Sequence, residues 1–194
     1  MNLIFATQNS NKVKEIQAQL PSNFNVKSLL DLNYLEELEE TQATLEGNAL
    51  QKAKFVYHNF GENCFADDTG LEVEALNGAP GVYSARYAGE EKSFEKNMNK
   101  LLAEMKGEEN RIAQFRTVIA CIIDDKEHLF EGICKGEITN QKKGKKGFGY
   151  DPIFQPSGYS ETFAEMPLEL KTKIGHRGKA VNQLINFLKA RAFG

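Results

Sequence analysis

The sequence is poor in the residues that build disulfide frameworks and zinc sites. Its 194 residues include only three cysteines and three histidines, and the members of each set lie far apart. An odd number of thiols without a C-x-x-C pair argues against disulfide bonding and against a structural zinc site. We therefore expect Cys64, Cys121 and Cys134 to be reduced residues that pack in the interior.

Long hydrophobic runs are also missing. No apolar stretch approaches the roughly 18 residues that a membrane span requires. The segment from Met1 to Phe5 has no basic region and no apolar core of signal-peptide length, which predicts a cytoplasmic protein. Neither an internal repeat nor a Pro/Ser/Gly-rich linker divides the chain. We therefore expect a single domain over residues 1–194 with no membrane partner.

The balance of charge is slightly acidic, with 24 basic and 27 acidic residues. Phosphate neutralisation dominates the affinity of proteins for DNA and RNA, so this balance argues against a nucleic-acid-coating role. Apolar segments of strand character alternate with segments whose apolar residues recur at helical spacing, which is typical of an α/β fold. The predicted strands cover residues 3–6, 24–29, 64–67, 71–73, 112–123 and 129–138, and the predicted helices cover 12–20, 44–56, 94–105 and 179–190.

Charged residues are clustered along the chain. Acidic and basic clusters within one small domain suggest a polyphosphate bound with its divalent metal, because carboxylates hold Mg²⁺ and Lys and Arg hold phosphate oxygens. Taken singly, the first acidic run fits a solvated surface equally well, and the first lysine run fits a mobile solubilising loop. The clusters are Glu36, Glu37, Glu39 and Glu40; Asp67 and Asp68; Lys142, Lys143, Lys145 and Lys146; and Lys171, Lys173, Arg177 and Lys179.

The tetrapeptide Asp67-Asp68-Thr69-Gly70 follows a predicted strand, where catalytic groups of α/β proteins tend to lie. Its last three residues predict a turn between the strands at 64–67 and 71–73. Two adjacent carboxylates suit a site in which one binds metal and the other orients or deprotonates a water molecule. An acidic turn without a catalytic role is the alternative.

Small polar residues at 7–11 precede Lys12 and a predicted helix. Helix N-termini bind anions through their unpaired N–H groups, so this segment is a candidate phosphate loop. It is not a Walker A loop, because the pattern G-x-x-x-x-G-K-[ST] is absent. An ordinary strand-to-helix connection would have the same composition.

The segment Phe148-Gly149-Tyr150-Asp151 combines aromatic rings, a flexible glycine and an acid. An aromatic ring stacks on nucleobases and a carboxylate accepts from base N–H groups, whereas a turn that anchors the core is the alternative. Further along, Lys171, His176 and Arg177 are all hydrogen-bond donors. Donors suit the acceptor oxygen of a keto purine and suit the amino group of adenine badly.

In combination and in this order, these motifs resemble those of the inosine triphosphate pyrophosphatase family, the Ham1-like non-canonical purine nucleoside triphosphate pyrophosphatases. A single motif would be weak, but six motifs in register over almost the whole chain are specific. The matching pieces are Ala6-Thr7-Gln8-Asn9-Ser10-Asn11-Lys12, Glu46-Gly47-Asn48-Ala49 with Lys52 and Ala53, Ala66-Asp67-Asp68-Thr69-Gly70-Leu71, the segment from Gly78 to Tyr87, Gly147-Phe148-Gly149-Tyr150-Asp151-Pro152-Ile153-Phe154, and His176-Arg177-Gly178.

The resemblance implies an α/β fold with an elongated mixed β-sheet, flanking helices and two lobes around a central nucleotide cleft. It implies a homodimer. It also implies hydrolysis of ITP, dITP and XTP to the monophosphate and pyrophosphate with Mg²⁺, a reaction that cleanses the nucleotide pool and needs no nucleic-acid partner.

The resemblance also implies roles for single residues. Asp68 matches the catalytic proton acceptor and metal ligand, and Glu39 or Glu40 lies where the family places a second metal carboxylate. The family has Ser just before His-Arg, whereas this chain has Gly175, so a hydroxyl near the base is missing and only backbone groups remain there. The residues that match substrate contacts are Thr7, Gln8, Asn9, Ser10, Asn11, Lys12, Lys52, Thr69, Phe148, Gly149, Tyr150, Asp151, Lys171, His176 and Arg177.

Two other functions stay open at this level. The lysine run at 142–146 beside Phe148 suggests a nucleotide sensor or RNA-binding module, although Asp67 and Asp68 would repel phosphate without a metal. An enzyme that releases orthophosphate from the γ position is the closer alternative. Composition does not choose between the phosphorus atoms, and the α–β cleavage site comes from the resemblance.

Overall fold

A computed structural model describes residues 2–21 and 23–192 of the chain. Within those ranges the chain forms seven β-strands, five α-helices and three short 3₁₀ turns. The strands are β1 (Asn2–Phe5), β2 (Asn25–Ser28), β3 (Cys64–Val73), β4 (Pro80–Gly81), β5 (Ile112–Ile123), β6 (Lys126–Ile138) and β7 (Phe154–Pro156). The helices are α1 (Ser10–Gln17), α2 (Leu45–Phe60), α3 (Phe94–Glu104), α4 (Leu168–Ile174) and α5 (His176–Ala192).

The residues pack into two compact units. The first unit comprises Met1–Asp68, Thr117–Gly132 and Arg177–Gly194, and the second comprises Thr69–Arg116 and Ile133–His176. The strands are hydrogen-bonded in the order β2-β1-β3-β5-β6-β7, and β4 pairs with β3. Strands β3, β5 and β6 have residues in both units, so each unit has its own part of the sheet.

In the first unit, β1 lies between β2 and β3 and is parallel to both. The rings of Phe5 and Phe65 on β1 and β3 stack with their centroids 4.6 Å apart. Helix α5 packs its apolar side into the same core. The core residues that α5 contributes are Ala180, Val181, Leu184, Ile185 and Leu188.

The second unit contains antiparallel pairs. Strand β4 is antiparallel to β3, and β7 is antiparallel to β6. Phe115, Phe154 and Phe163 form the aromatic centre of its core, in which the rings of Phe115 and Phe154 lie 4.7 Å apart. Together, parallel pairs in the first unit and antiparallel pairs in the second confirm the predicted mixed α/β fold. The nucleotide cleft stays a prediction.

Most predicted elements are confirmed. Helix α2 begins after Thr44, whose hydroxyl accepts the N–H of Gly47 at 3.0 Å, as its sequence position indicated. Its apolar stripe of Leu45, Ala49, Ala53 and Val56 is buried. The three cysteines are buried and free, as expected. Among the described residues, no helix is long and apolar enough to cross a membrane.

The prediction of a turn at Asp68-Thr69-Gly70 is wrong, because β3 runs without a break from Cys64 to Val73. Gly70 is therefore a strand residue and not the turn residue that was predicted. A Cβ atom at this position would lie 2.7 Å from the carbonyl oxygen of Gly81, so glycine lets β4 approach β3 closely. Helix α5 also begins at His176, three residues before the predicted start.

Candidate active site

The loop between β1 and α1 contains the predicted phosphate contacts. Oδ1 of Asn9 caps α1 and accepts hydrogen bonds from the backbone N–H groups of Asn11 (3.0 Å) and Lys12 (3.3 Å). Oγ1 of Thr7 accepts the N–H of Asn9 at 3.2 Å, and Ser10 is exposed. The cap therefore satisfies two of the N–H groups that the sequence pattern offered to phosphate.

Gln8 connects this loop to the acidic segment that precedes α2. Its Nε2 donates to the backbone carbonyl oxygens of Tyr34 at 3.0 Å and Glu36 at 2.7 Å. The amide of Gln8 thus holds the acidic segment beside the loop. This contact is structural, and the substrate contact that the resemblance implies for Gln8 stays a prediction.

Asp67 and Asp68 are adjacent on β3 and are 1% and 7% exposed. Successive side chains of a strand point to opposite faces of the sheet, so the two carboxylates meet different partners. Oδ1 of Asp67 lies 3.0 Å from Nζ of Lys12, whereas Oδ2 of Asp68 accepts a hydrogen bond from Nδ2 of Asn48 at 3.0 Å. The extended backbone therefore separates two carboxylates that the sequence shows side by side.

Asp67 is the centre of a buried ion-pair network. Nε of Arg177 lies 3.1 Å from Oδ2 of Asp67, and Nη1 of Arg177 bonds to Oε2 of Glu15. Burial alone would raise the pKa of Asp67, but the positive charges of Lys12 and Arg177 hold it well below its usual range. Asp67 is consequently an ionised structural carboxylate whose oxygens are already engaged.

Asp68 has the opposite electrostatic balance. Burial raises the pKa of Asp68 above its usual value, Lys52 opposes that shift, and Glu40 adds to it. Nζ of Lys52 lies 2.5 Å from Oε1 of Glu40 and 3.7 Å from Oδ1 of Asp68, and it donates to the carbonyl oxygen of Asp67 at 2.9 Å. Asp68 is therefore the more basic of the two aspartates.

Glu40, and not Glu39, joins this group. Glu39 is exposed, and the contacts that define the group do not include it, whereas Glu40 and Asp68 both lie against Lys52. Among the residues that the structure describes, no three or more His, Cys, Asp or Glu side chains are grouped so that they could hold a metal ion by themselves. Mg²⁺ is commonly bound through one or two carboxylates, water and substrate phosphate, and two neighbouring carboxylates fit that pattern.

We refer to these residues as the charge cluster, and all of them belong to the first unit. Sequence reasoning missed Glu15 and Asn48 as members. Both had a usable signal, because Glu15 follows Lys12 by three residues and Asn48 precedes Lys52 by four, which places each pair on one helix face. The charge cluster consists of Lys12, Glu15, Glu40, Asn48, Lys52, Asp67, Asp68 and Arg177.

A second group of predicted residues lies in the second unit. Oδ2 of the buried Asp151 accepts the backbone N–H of Phe148 at 2.8 Å and lies 2.6 Å from Nζ of Lys171. The same ammonium group is 5.0 Å from the centroid of the Phe148 ring. Tyr150 is buried, and its hydroxyl donates to the carbonyl oxygen of Ser84 at 2.8 Å. The predicted base segment is thus anchored by Asp151 and Tyr150 and offers the ring of Phe148.

His176 and Gly175 complete this group, which we call the aromatic–lysine cluster. The His176 ring is buried and stacks on Phe115 with centroids 4.5 Å apart. A Cβ atom at Gly175 would lie 2.5 Å from the carbonyl oxygen of Lys171, so the backbone here has no room for a larger residue. The aromatic–lysine cluster consists of Phe115, Phe148, Asp151, Phe163, Lys171, Gly175 and His176.

Thr69, which the resemblance implied as a substrate contact, is the first residue of the second unit and a partly buried member of β3. Arg177, predicted as a nucleotide contact, has its guanidinium on Asp67 and Glu15 within the charge cluster. Lys171 and His176 are in the aromatic–lysine cluster. The three donors that the sequence grouped together therefore have different partners.

The mixed sheet with its helices, the strand carboxylates with their lysines in the first unit, and the aromatic segment with its buried lysine in the second define an α/β protein with two clusters of polar and charged residues. Comparison with known proteins narrows this class. The model of the Ham1 family matches residues 3–187 of the chain. The chain belongs to the Ham1 family.

Relatives and solved structures agree with this assignment. The chain is 57% identical over 190 residues to a Flavobacterium johnsoniae protein named dITP/XTP pyrophosphatase. The alignment covers 98% of this chain and 99% of that protein. A Bacillus licheniformis protein of the same name is 46% identical over 186 residues and covers 94% and 95% of the two chains. The solved structure of the Staphylococcus aureus Ham1 protein is 40% identical, with a TM-score of 0.88 over 98% of this chain and 100% of that one.

Proposed function

We propose that this protein is a nucleoside triphosphate pyrophosphatase that hydrolyses the non-canonical purine nucleotides ITP, dITP and XTP to the monophosphate and pyrophosphate. The observation that carries the proposal is the pair of strand aspartates, one engaged by Lys12 and Arg177 and the other beside Lys52 and Glu40. The names of the relatives support the substrate class. Membership of the family supports the reaction type.

The proposed cofactor is Mg²⁺, with Asp68 and Glu40 as the residues that would hold it. Both carboxylates lie against Nζ of Lys52, so two negative charges meet at one place in a largely buried site. The repulsion between them is part of what raises the pKa of Asp68, and a divalent cation would relieve it. When bound, Mg²⁺ would polarise phosphate oxygens and stabilise the negative charge of the leaving group.

Asp68 is the proposed general base. Its carboxylate is largely buried beside Lys52, and a bound divalent cation would keep it ionised, as a proton acceptor must be. Asn48 fixes its orientation through the 3.0 Å hydrogen bond to Oδ2. In the proposed reaction, Asp68 takes a proton from the water molecule that attacks the α-phosphorus, and pyrophosphate leaves.

Lys12 and Lys52 are proposed to stabilise the charge that accumulates on pyrophosphate. Lys12 is held by Asp67 on β3, and Lys52 is held by Glu40 and by the carbonyl oxygen of Asp67. Preorganised charges of this kind lower the barrier because they need no rearrangement when the transition state forms. Except for Gln8, whose side-chain amide donates to Tyr34 and Glu36, the residues of the loop at 7–11 are proposed to hold the triphosphate.

The aromatic–lysine cluster is proposed to recognise the base. Phe148 offers its ring for stacking, and Lys171, with His176, supplies donors for the keto oxygen of hypoxanthine or xanthine. The amino group of adenine cannot accept such a bond, and an unsatisfied buried partner costs about 1–3 kcal/mol. Asp151 is proposed to position these groups, because its Oδ2 accepts hydrogen bonds from the backbone N–H of Phe148 and from Nζ of Lys171.

Product analysis with ITP and Mg²⁺, beside ATP and GTP, tests the proposal. IMP and pyrophosphate from ITP, with ATP and GTP largely spared, is the expected result. IDP and orthophosphate would move the attack to the γ-phosphorus. Absence of turnover, together with retention of the protein on RNA at physiological salt, would instead favour the binding module. The homodimer and the cytoplasmic location stay predictions.

A further inference from the structure

Phe94 is an unusual exposed residue of the second unit. It is the first residue of α3 and is 42% exposed, and it follows Ser93, whose Oγ caps the helix by accepting the N–H of Lys96 at 3.3 Å. An aromatic ring that stays this exposed to water contributes little buried apolar surface to the stability of the fold. The ring of Phe94 lies 6.0 Å from the ring of Phe148, with the two planes 47° apart.

Phe148 stands in a loop whose backbone favours glycine on both sides. Gly147 and Gly149 have φ values of +71° and +64°, in the left-handed region. The backbone N–H of Phe148 is fixed by Asp151, but that bond does not set the plane of the ring. The orientation of the ring depends on the side chains that contact it, among them Phe94 and Lys171.

The beginning of α3 contacts the same loop a second time. Oε1 of Glu95 lies 3.4 Å from Nζ of Lys142, at the other end of the loop. Two consecutive residues of α3 therefore contact the segment between β6 and β7, Phe94 at Phe148 and Glu95 at Lys142.

We propose that Phe94 is a positioning residue that holds the ring of Phe148 in the orientation in which it stacks on a purine base. The inference rests on the proposed function, since it needs Phe148 to bind the base. Tilted aromatic pairs at this separation have a preferred geometry, so the ring of Phe94 restricts the orientations open to its neighbour. In this role Phe94 acts through its contact with Phe148.

The kinetic test uses Phe94→Ala, Phe94→Tyr and a control. Loss of an aromatic pair predicts that Phe94→Ala raises KM for ITP about 2- to 12-fold, while kcat stays within about two-fold. Phe94→Tyr keeps the ring and should retain the normal KM. Leu129→Ala, at a similarly exposed position on β6 (47%), should change neither constant. A normal KM in Phe94→Ala would overturn the inference.

A double variant separates positioning from general destabilisation. If Phe94 acts through Phe148, then Phe94→Ala adds nothing to the KM increase of Phe148→Ala, whereas independent effects multiply. Multiplying effects would overturn the inference and leave the proposed base site intact. A normal KM in Phe148→Ala would overturn the base site itself and the inference with it.

Binding can be followed without turnover. The chain has no tryptophan, so Phe148→Trp introduces a single indole at the proposed stacking position. Quenching of that indole by inosine monophosphate gives a dissociation constant. Adding Phe94→Ala to this variant should weaken binding about 2- to 12-fold. An unchanged dissociation constant would contradict the inference.

Discussion

The two clusters of this protein differ in how they are assembled. In the charge cluster, Arg177 reaches Asp67 and Glu15 across 110 and 162 positions of sequence. In the aromatic–lysine cluster, Lys171 meets Asp151 across only 20 positions. The first therefore exists only when distant segments have come together, whereas the second lies largely within one stretch of chain. Under the proposed function, the charge cluster carries out the chemistry at phosphorus and the aromatic–lysine cluster recognises the base.

The clusters also differ in what they bury. The charge cluster buries ions, whose desolvation is expensive unless every charge is paired. The aromatic–lysine cluster buries rings and one ion pair, between Asp151 and the ammonium group of Lys171, which lies near two of the rings. Damage to the charge cluster should consequently reduce turnover or folding, and damage to the aromatic–lysine cluster should weaken binding.

Removal of Mg²⁺ should have the largest effect. Metal ions supply several kcal/mol of charge stabilisation, so excess chelator should reduce turnover of ITP by roughly 10³-fold or more. Chelator should not unfold the protein, because the ion pairs of the charge cluster form without metal. Turnover that persists in chelator would contradict the metal-binding role of Asp68 and Glu40.

Arg177→Met tests the structural half of the charge cluster. Removing one partner leaves Asp67 and Glu15 buried without their guanidinium, which should lower the free energy of unfolding by about 3–5 kcal/mol. Arg191→Met is a matched control on the same helix, because Arg191 pairs with Asp124 at the surface and should contribute no more than about 1 kcal/mol. Denaturant unfolding measures both. Equal losses in the free energy of unfolding of the two variants would show that burial does not strengthen the contribution of the Arg177 network to stability.

Gly175→Ala and Gly175→Ser test the aromatic–lysine cluster. The Cβ atom that both variants share would lie 2.5 Å from the carbonyl oxygen of Lys171 and displace the end of α4. We expect a loss of about 1–3 kcal/mol in stability and a higher KM for ITP in both. Calorimetry and initial rates measure these effects. Stronger base selection in the serine variant than in wild type would show that the backbone accommodates the hydroxyl.

The lysine run should matter least. Replacing Lys142, Lys143, Lys145 and Lys146 by Gln removes four exposed charges that would attract a polyanionic substrate over a distance. We expect kcat/KM for ITP to fall a few-fold at low salt and to match wild type above about 0.5 M salt, where the screening length is only a few ångströms. A loss that persists at high salt would indicate direct contact with the substrate.

Local signals in the sequence were sufficient for most of the fold. Periodic apolar residues and the Thr44 cap located α2, and the apolar run from 112 to 123 matched β5. The error at Asp68-Thr69-Gly70 arose because these residue types favour turns. The segment stays extended because β3 is a central strand between β1 and β5, β4 packs closely on it, and a distant cation pairs with its buried Asp67.

The sequence predicted the arrangement of the site less completely than it predicted the fold. Glu15 lies on an amphipathic helix, where a glutamate ordinarily faces water, and its partner is 162 residues away. The division of labour between Asp67 and Asp68 follows from strand alternation, which the predicted turn had concealed. The choice of Glu40 over Glu39 likewise depends on which of two adjacent side chains reaches Lys52, and periodicity cannot decide this in an irregular segment.

The most direct test compares kcat and KM for ITP in Asp68→Asn and Phe148→Ala. We expect Asp68→Asn to lower kcat by roughly 10²–10⁴-fold with little change in KM. Phe148→Ala should raise KM about 5- to 150-fold through lost stacking and leave kcat within a few-fold. Near-normal turnover in Asp68→Asn, or a loss confined to kcat in Phe148→Ala, would contradict the division between the two clusters.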